Sequence, residues 1–342
     1  MAYTTIKKPS DYFNTKLYTG NGSTQSITGV GFQPDWVWMK DRDSGTLHHV
    51  LVDAVRGTTK AIYSNLTASE ENQSGSLTAF NSDGFSIGNM NDVNTNGDNF
   101  VSWNWLASNT TASNTDGSIT STVSANTTSG FSIVSYTGTG SGATVGHGLG
   151  VAPKVIIFKN RDIVQNWVSY HEPLGFNSFL KLNTTDASAS NSGFMNNSAP
   201  TSSVFGVNSF TNNNGNGNNH VAYCFAEVKG FSKFGSYTGN GSTDGTFIYT
   251  GFKPAFVIQK ASSATSNWTV KDNKRSTFNA VNNYLLPDTN EAEGTSGLAH
   301  DFLSNGFKIR TSSGAVNDSG VTYIYMAFAE EPLVGDNPAT AR

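Results

Sequence analysis

The pentapeptide Tyr-Thr-Gly-Asn-Gly at residues 18–22 returns as Tyr-Thr-Gly-Thr-Gly at 136–140 and as Tyr-Thr-Gly-Asn-Gly at 237–241. A second landmark follows each copy: a proline leading an apolar run that ends in lysine, as Pro34 with Lys40, Pro153 with Lys159 and Pro254 with Lys260. A third closes each copy with an aromatic strand, at Phe100–Leu106, His220–Ala226 and Tyr323–Ala329. From the tyrosine to the last aromatic (Trp105, Phe225, Phe328) the spacing is 87, 89 and 91 residues. Three landmarks in register, three times, mark a tandem repeat, and a repeat decides the fold before any single motif does.

The spacing divides the chain into an N-terminal arm (1–14), module one (15–107), a linker (108–129), module two (130–229), module three (230–333) and a C-terminal tail (334–342). The linker is Ser, Thr, Asn and Ala without an aromatic, which reads as an extended or exposed segment. Gly130-Phe131-Ser132 and Gly230-Phe231-Ser232 open modules two and three, the latter with almost no spacer. Modules two and three are therefore expected to pack end to end, with module one on a longer tether. The arm and the linker are expected to order only on assembly, having little surface to bury alone.

Within a module the apolar period is two. Val101, Trp103 and Trp105 alternate with Ser102 and Asn104; Val221, Tyr223 and Phe225, and Ile324, Met326 and Phe328, repeat the pattern. The run after the proline is apolar on both faces, as in Trp36-Val37-Trp38-Met39 and Val155-Ile156-Ile157-Phe158, which suits a strand covered on both sides. Gly-Phe-Ser-Ile (84–87), Val-Phe-Gly-Val (204–207) and Gly-Phe-Lys-Ile (306–309) precede the closing strands across Asn/Gly-rich turns, predicting a hairpin in each copy. Short helical turns remain open around Thr67–Glu71 and Thr289–Glu293. The fold expected is all-β: three tandem β-sandwich, jelly-roll-like modules of six to eight strands.

Composition sets limits on function. Of 342 residues, 13% are charged, the net charge is −4 and no Lys/Arg cluster stands out, which argues against a nucleic-acid partner. One cysteine, Cys224, excludes an intramolecular disulfide framework. The first ten residues lack the apolar stretch of a secretory signal, and nowhere do 18 apolar residues run together, so a soluble protein without membrane insertion is expected. No cofactor or metal is expected. The Asn/Gly tips lack the carboxylates of a calcium loop.

The six histidines occupy no equivalent positions when counted from each proline, so no repeated catalytic histidine is implied. Asp41, Asp43, Asp53, Glu70 and Glu71 could supply a carboxylate pair for glycoside cleavage, but nothing in their spacing brings two together. Asp43 and Asp162 follow Arg42 and Arg161 at equal distances from their prolines, which reads as a turn with a local ion pair. No catalytic residue is assigned and an enzyme is not expected. Trp167 and Trp268 both lie 14 residues after their prolines, where module one has His48. These three are the candidates for contact with a glycan, against the simpler reading of the tryptophans as core anchors.

The string GFSIVSYTGTGSGATVGHGLGVAPKVIIFK (Gly130–Lys159) resembles a domain of unknown function repeated in structural proteins of marine phages, including cyanophages. Residues 198–205 (SAPTSSVF) and His220–Lys229 (HVAYCFAEVK) carry the same likeness, as do Tyr18–Lys40 and Gly235–Lys260. The resemblance covers nearly the whole chain. It implies a virion surface protein, a tail fibre or spike component contributing to host attachment, with other virion proteins and a host-surface glycan or receptor as partners. It transfers no catalytic residues. Exposed strand edges add the expectation of a homo-oligomer, such as a trimer. The alternatives are a capsid decoration or filament-forming protein, and an appendage that binds or cleaves polysaccharide.

Overall fold

The computed structural model describes residues 4–334 and 338–340. Residues 1–3 of the arm and most of the tail beyond 334 lie outside the described residues. In module one the strands are β1 (Phe13–Thr19), β2 (Gln25–Thr28), β3 (Trp36–Asp41), β4 (Val50–Asp53), β5 (Lys60–Tyr63), β6 (Glu71–Asn72), β7 (Leu77–Asn81), β8 (Gly84–Ile87) and β9 (Asn99–Trp105). They form an inner sheet, β1-β9-β3-β4-β5-β6, and an outer sheet, β2-β8-β7.

A hairpin of β10 (Ala112–Asn114) and β11 (Ser121–Asn126) leads into module two. That module contains β12 (Phe131–Thr137), β13 (Ala143–Gly146), β14 (Val155–Asn160), β15 (Val168–His171), β16 (Ser178–Phe179), β17 (Ala189–Ser190), β18 (Val204–Val207) and β19 (Asn219–Phe225). Its inner sheet is β10-β11-β12-β19-β14-β15, faced by the pair β13-β18. Module three has β20 (Ser232–Thr238), β21 (Phe247–Tyr249), β22 (Phe252–Ala261), β23 (Thr269–Asp272), β24 (His300–Leu303), β25 (Gly306–Ile309) and β26 (Thr322–Pro332). These form the sheets β20-β26-β22-β23 and β21-β25-β24. In every module the first strand pairs with the last, and the second with the last but one, all antiparallel. The protein is all-β, built of two-layer sandwiches.

The Tyr-Thr-Gly-x-Gly landmark ties the two layers together. The hydroxyls of Tyr18, Tyr136 and Tyr237 donate to the carbonyls of Val93, Asn213 and Val316, in short helical turns α1 (Asn91–Asn94), α2 (Thr211–Asn214) and α3 (Gly314–Asn317). A Cβ on Gly20, Gly138 or Gly239 would meet the carbonyl oxygen of Thr95, Gly215 or Asp318 at 2.0, 2.4 or 2.3 Å, so only glycine lets the turn approach. The last residue of each turn, Asn94, Asn214 or Asn317, is buried, and its amide donates to two loop carbonyls. Its Oδ1 accepts from the backbone N–H of Asn21, Thr139 or Asn240. A buried amide fully paired in this way locks the crossing from outer to inner sheet.

That crossing corrects the expected hairpin. Strand β8 pairs with β2 and β7 and not with β9, and the asparagine turn carries the chain between layers. No helix forms at Thr67–Glu71 or Thr289–Glu293; these segments reach a neighbouring module instead.

The modules are not end to end, and each has a share in a common core beside a core of its own. Each inner sheet has an outward face covered by its own small sheet, giving three local cores. Its other face enters one core shared by all three modules. The apolar stripes of the closing strands meet there: Trp105, Phe225 and Phe328 form a triangle with centroid separations of 6.5, 5.8 and 5.9 Å. All residues of β3 and β14 are buried because both faces of these strands are covered. Period two fixes that a face is apolar; here three such faces bury one another.

The linker and the described part of the arm, from Thr4, are also ordered. Strand β11 extends the sheet along β12, with Ile119 and Val123 buried in the core of module two. Those two β-branched residues suffice to dock a segment without aromatics. In the arm, Ile6 and Phe13 join the shared core, and Phe13 already begins β1.

Candidate functional site

Trp167 is wholly buried and Trp268 is 3% exposed, so neither can stack on a glycan. Each indole reaches into the next module: Trp167 Nε1–H donates to the Tyr63 carbonyl at 2.8 Å, and Trp268 Nε1–H to the Lys181 carbonyl at 2.9 Å. A large ring with one N–H suits such an anchor. His48 is half-buried, 2.8 Å through Nδ1 from the Asn65 amide, and is not their counterpart. Strand pairing sets Val50 opposite Met39, as Val168 is opposite Phe158 and Thr269 opposite Gln259, so His49 holds the tryptophans' place.

His49 does the same work. Its Nδ1 accepts from Trp38 Nε1 at 3.0 Å, which leaves Nε2–H to donate to the Leu286 carbonyl of module three at 3.1 Å. Tyr63, Lys181 and Leu286 are themselves equivalent, each following the residue (Ile62, Leu180, Leu285) that bridges β4, β15 or β23. The contacts therefore close a cycle: module two onto one, three onto two, and one onto three.

Two of these interfaces carry buried charge. Asp53 accepts from Arg56 within module one and from the Tyr223 hydroxyl of module two at 2.7 Å. Arg56 also pairs with Glu70, and Glu70 receives Arg161 of module two through two bonds of 2.9 Å. Between modules three and one the set recurs: Asp272 accepts from Arg275 and from Trp103 Nε1, while Glu293 receives Arg275 and Arg42. Burial alone would raise both glutamates, but the paired arginines hold Glu70 and Glu293 below the ordinary glutamate range. The expected local pairs of Arg42 with Asp43 and of Arg161 with Asp162 do not form; the two aspartates accept from Asn99 and Asn219.

At the corresponding position the interface of modules two and three is neutral; its ion pair, Lys233 with Glu227 at 2.8 Å, lies elsewhere and is partly exposed. His171 stands where Asp53 and Asp272 stand, and its Nε2–H donates to the Tyr325 carbonyl at 3.0 Å. Ser188 and Ser262 replace the glutamate and the arginine, keeping only the backbone bond between them at 2.9 Å. The lysines that end the proline runs are wholly buried at these junctions. Lys159 donates to the Thr67 carbonyl of module one and Lys260 to the Thr185 carbonyl of module two. Burial pushes Lys159 down to about 7, and Lys40 and Lys260 to about 8.

Glu70, Glu293, Lys159, Lys260 and His171 thus owe their shifts to the joints between modules, while Asp35, His147, His220 and His300 are shifted by burial within one module. Among the described residues, no three His, Cys, Asp or Glu side chains are placed to hold a metal ion. Cys224 is buried, and burial pushes its thiol up. Two surface clefts are lined by Asn14, Thr15, Lys16, Leu17, Gly29 and Lys274, and by Ser, Thr, Gly and Asn around Ser23 and Ser74. Among the described residues no helix is long and apolar enough to cross a membrane. Sequence reasoning missed Glu70, Glu293, Tyr223 and Trp103 as interface partners, because contact between repeats leaves no mark on local periodicity. It also passed over two exposed rings, Phe247 and Tyr249.

No curated protein matches the chain. A family match spans residues 8 to 332, across all three sandwiches, and by it the chain belongs to the family described as Domain of unknown function (DUF7483).

Proposed function

We propose that the protein is a structural component of a phage particle, a tail fibre or spike element at the virion surface that contributes to attachment to the host. The observation that carries this reading is the closed cycle of sandwiches, in which polar and ionisable side chains are spent on joining modules to one another. Such a body is stiff, because each module is held by two others through buried contacts. It presents sheet faces and loops outward, and its low charge keeps those faces soluble without strong electrostatic attraction. The resemblance to marine phage structural proteins supports the same role. Other virion proteins, and further copies of this chain, are its partners in assembly.

Immunogold labelling of particles that encode the chain tests the proposal. Label at the tail is the expected result. Label over the capsid faces would assign a decoration role instead. Absence of the chain from purified particles, by mass spectrometry, would contradict both.

A further inference from the structure

Strand β21 turns Ile248 inward, 5% exposed, and leaves Phe247 and Tyr249 on the outer face at 42% and 54% exposure. Strand geometry sets two such side chains roughly 7 Å apart on one face. Across the sheet, Phe247 stands opposite Lys308 and Lys308 opposite Asp301; Tyr249 stands opposite Gly306, and the Phe247 ring lies over that glycine, its Cε2 3.2 Å from where a Cβ would sit. A third ring, Phe278, is 78% exposed, on the loop whose Asn279 hydrogen-bonds the backbone of Phe302 in β24, at the far edge of the same sheet.

The fold does not require these rings. Ile27, Val145 and Ile248 are equivalent, each opposite the buried Phe85, Phe205 or Phe307. Module one flanks its isoleucine with Ser26 and Thr28, and module two flanks its valine with Thr144 and Gly146. In module two the strand is also covered, since Ser118 and Ile119 lie against Thr144 and Val145. Among the described residues only module three presents aromatic rings on an uncovered face, and large exposed rings without a structural task mark a contact site.

The surrounding charges select the ligand class. Lys308 pairs with Asp244 at 2.7 Å, and Arg310 pairs with Asp301 at 2.6 Å, so two cations and two anions balance. A balanced face has no field to hold an ionic partner, yet it offers donors and acceptors at its rim. Three aromatic side chains, at roughly 150–250 Å² each, fall short of the roughly 800 Å² per partner of a stable protein interface. A hydroxyl-rich ring with apolar C–H faces fits both features.

We propose that this face of module three binds an uncharged polysaccharide, with sugar rings stacked on Phe247 and Tyr249 and hydroxyls bonded to the flanking ion pairs. The inference rests on the attachment reading for its biological meaning and names the ligand class of that reading. The test is affinity electrophoresis of the full chain through gels containing dextran, mannan, laminarin or xylan. The comparison protein carries Phe247→Ser and Tyr249→Thr, the residues module one uses at these positions, so the fold should be retained with an unchanged melting temperature. The wild type should be retarded by at least one polysaccharide, and the double variant should lose affinity by about tenfold or more.

No retardation in any gel, or equal retardation of the two proteins, would overturn the inference. Concentration-dependent self-association abolished by the double variant would also overturn it, giving the face to a second copy of the chain. Presence on the particle is an independent readout: a virion protein unretarded in every gel removes this inference and leaves the attachment role standing.

Discussion

The joint between modules one and two and the joint between modules two and three make the same contact with different chemistry. Both use a tryptophan N–H on a neighbour's carbonyl and a backbone bond seven residues further along the partner chain. The first adds Asp53, Arg56, Glu70 and Arg161; the second has His171, Leu174, Ser188 and Ser262 in those places. The joint of modules three and one repeats the charged version with Asp272, Arg275, Glu293 and Arg42. The contact therefore does not need the buried ion network. Buried ion networks add little net stability, but a wrong pairing leaves a charge stranded, so they specify partners. Modules two and three are held adjacent by a short connection, whereas modules three and one are not consecutive in the chain and must find each other.

The largest expected break of this comparison is Asp53→Asn. It leaves Arg56 buried with half its countercharge, and should cost about 3–5 kcal/mol in urea denaturation. The matching change in the neutral joint, His171→Leu, leaves one carbonyl unpaired and should cost about 1–3 kcal/mol. Equal losses would erase the distinction between the joints.

Acid probes the joint of modules two and three next, through His171. Burial holds His171 at about 4 in the folded chain, below its usual 6.5. The unfolded chain then binds more protons between those values, so stability is full above pH 6.5 and falls as pH drops toward 4. The loss from His171 approaches ~3 kcal/mol, while the arginines hold Glu70 and Glu293 below the ordinary glutamate range. His220, also at about 4, and His49, His147 and His300, likewise lowered by burial, contribute their fall to parent and variant alike. His171→Leu should flatten the acid limb of stability against pH; unchanged slopes would contradict the assignment.

Smaller effects sharpen the equivalence of the three anchors. Trp167→Phe and Trp268→Phe each remove one N–H donor and should each cost about 1 kcal/mol. His49→Phe should cost somewhat more, since Trp38 Nε1 loses its acceptor as well. At the low end, Asp186→Asn breaks the exposed pair with Lys181 beside the neutral joint and should change stability by less than ~0.5 kcal/mol.

The sandwich class was legible because period two and the glycine turns act locally. Tyr18, Gly20 and Asn94 serve within one module, and their spacing repeats with it. What faces what was not legible. The stripe of Val101, Trp103 and Trp105 announces a buried face but not that its cover is the same stripe of two other modules. Counting from the proline matched His48 to the tryptophans, and one extra residue in the turn after β3 moves the match to His49. A loop longer by two residues likewise hid the alignment of Phe247 with Ser26 and Thr144. The hairpin at 112–126 escaped notice because Ile119 and Val123 are its only buried apolar anchors, among serines and threonines.

Small-angle X-ray scattering from the monomeric fraction tests the shared core most directly. Three sandwiches closed about Trp105, Phe225 and Phe328 should give a radius of gyration near that of a single compact body of this length, about 20 Å. Three separately cored modules in a line would give about 30 Å or more, and that result would contradict the closed cycle.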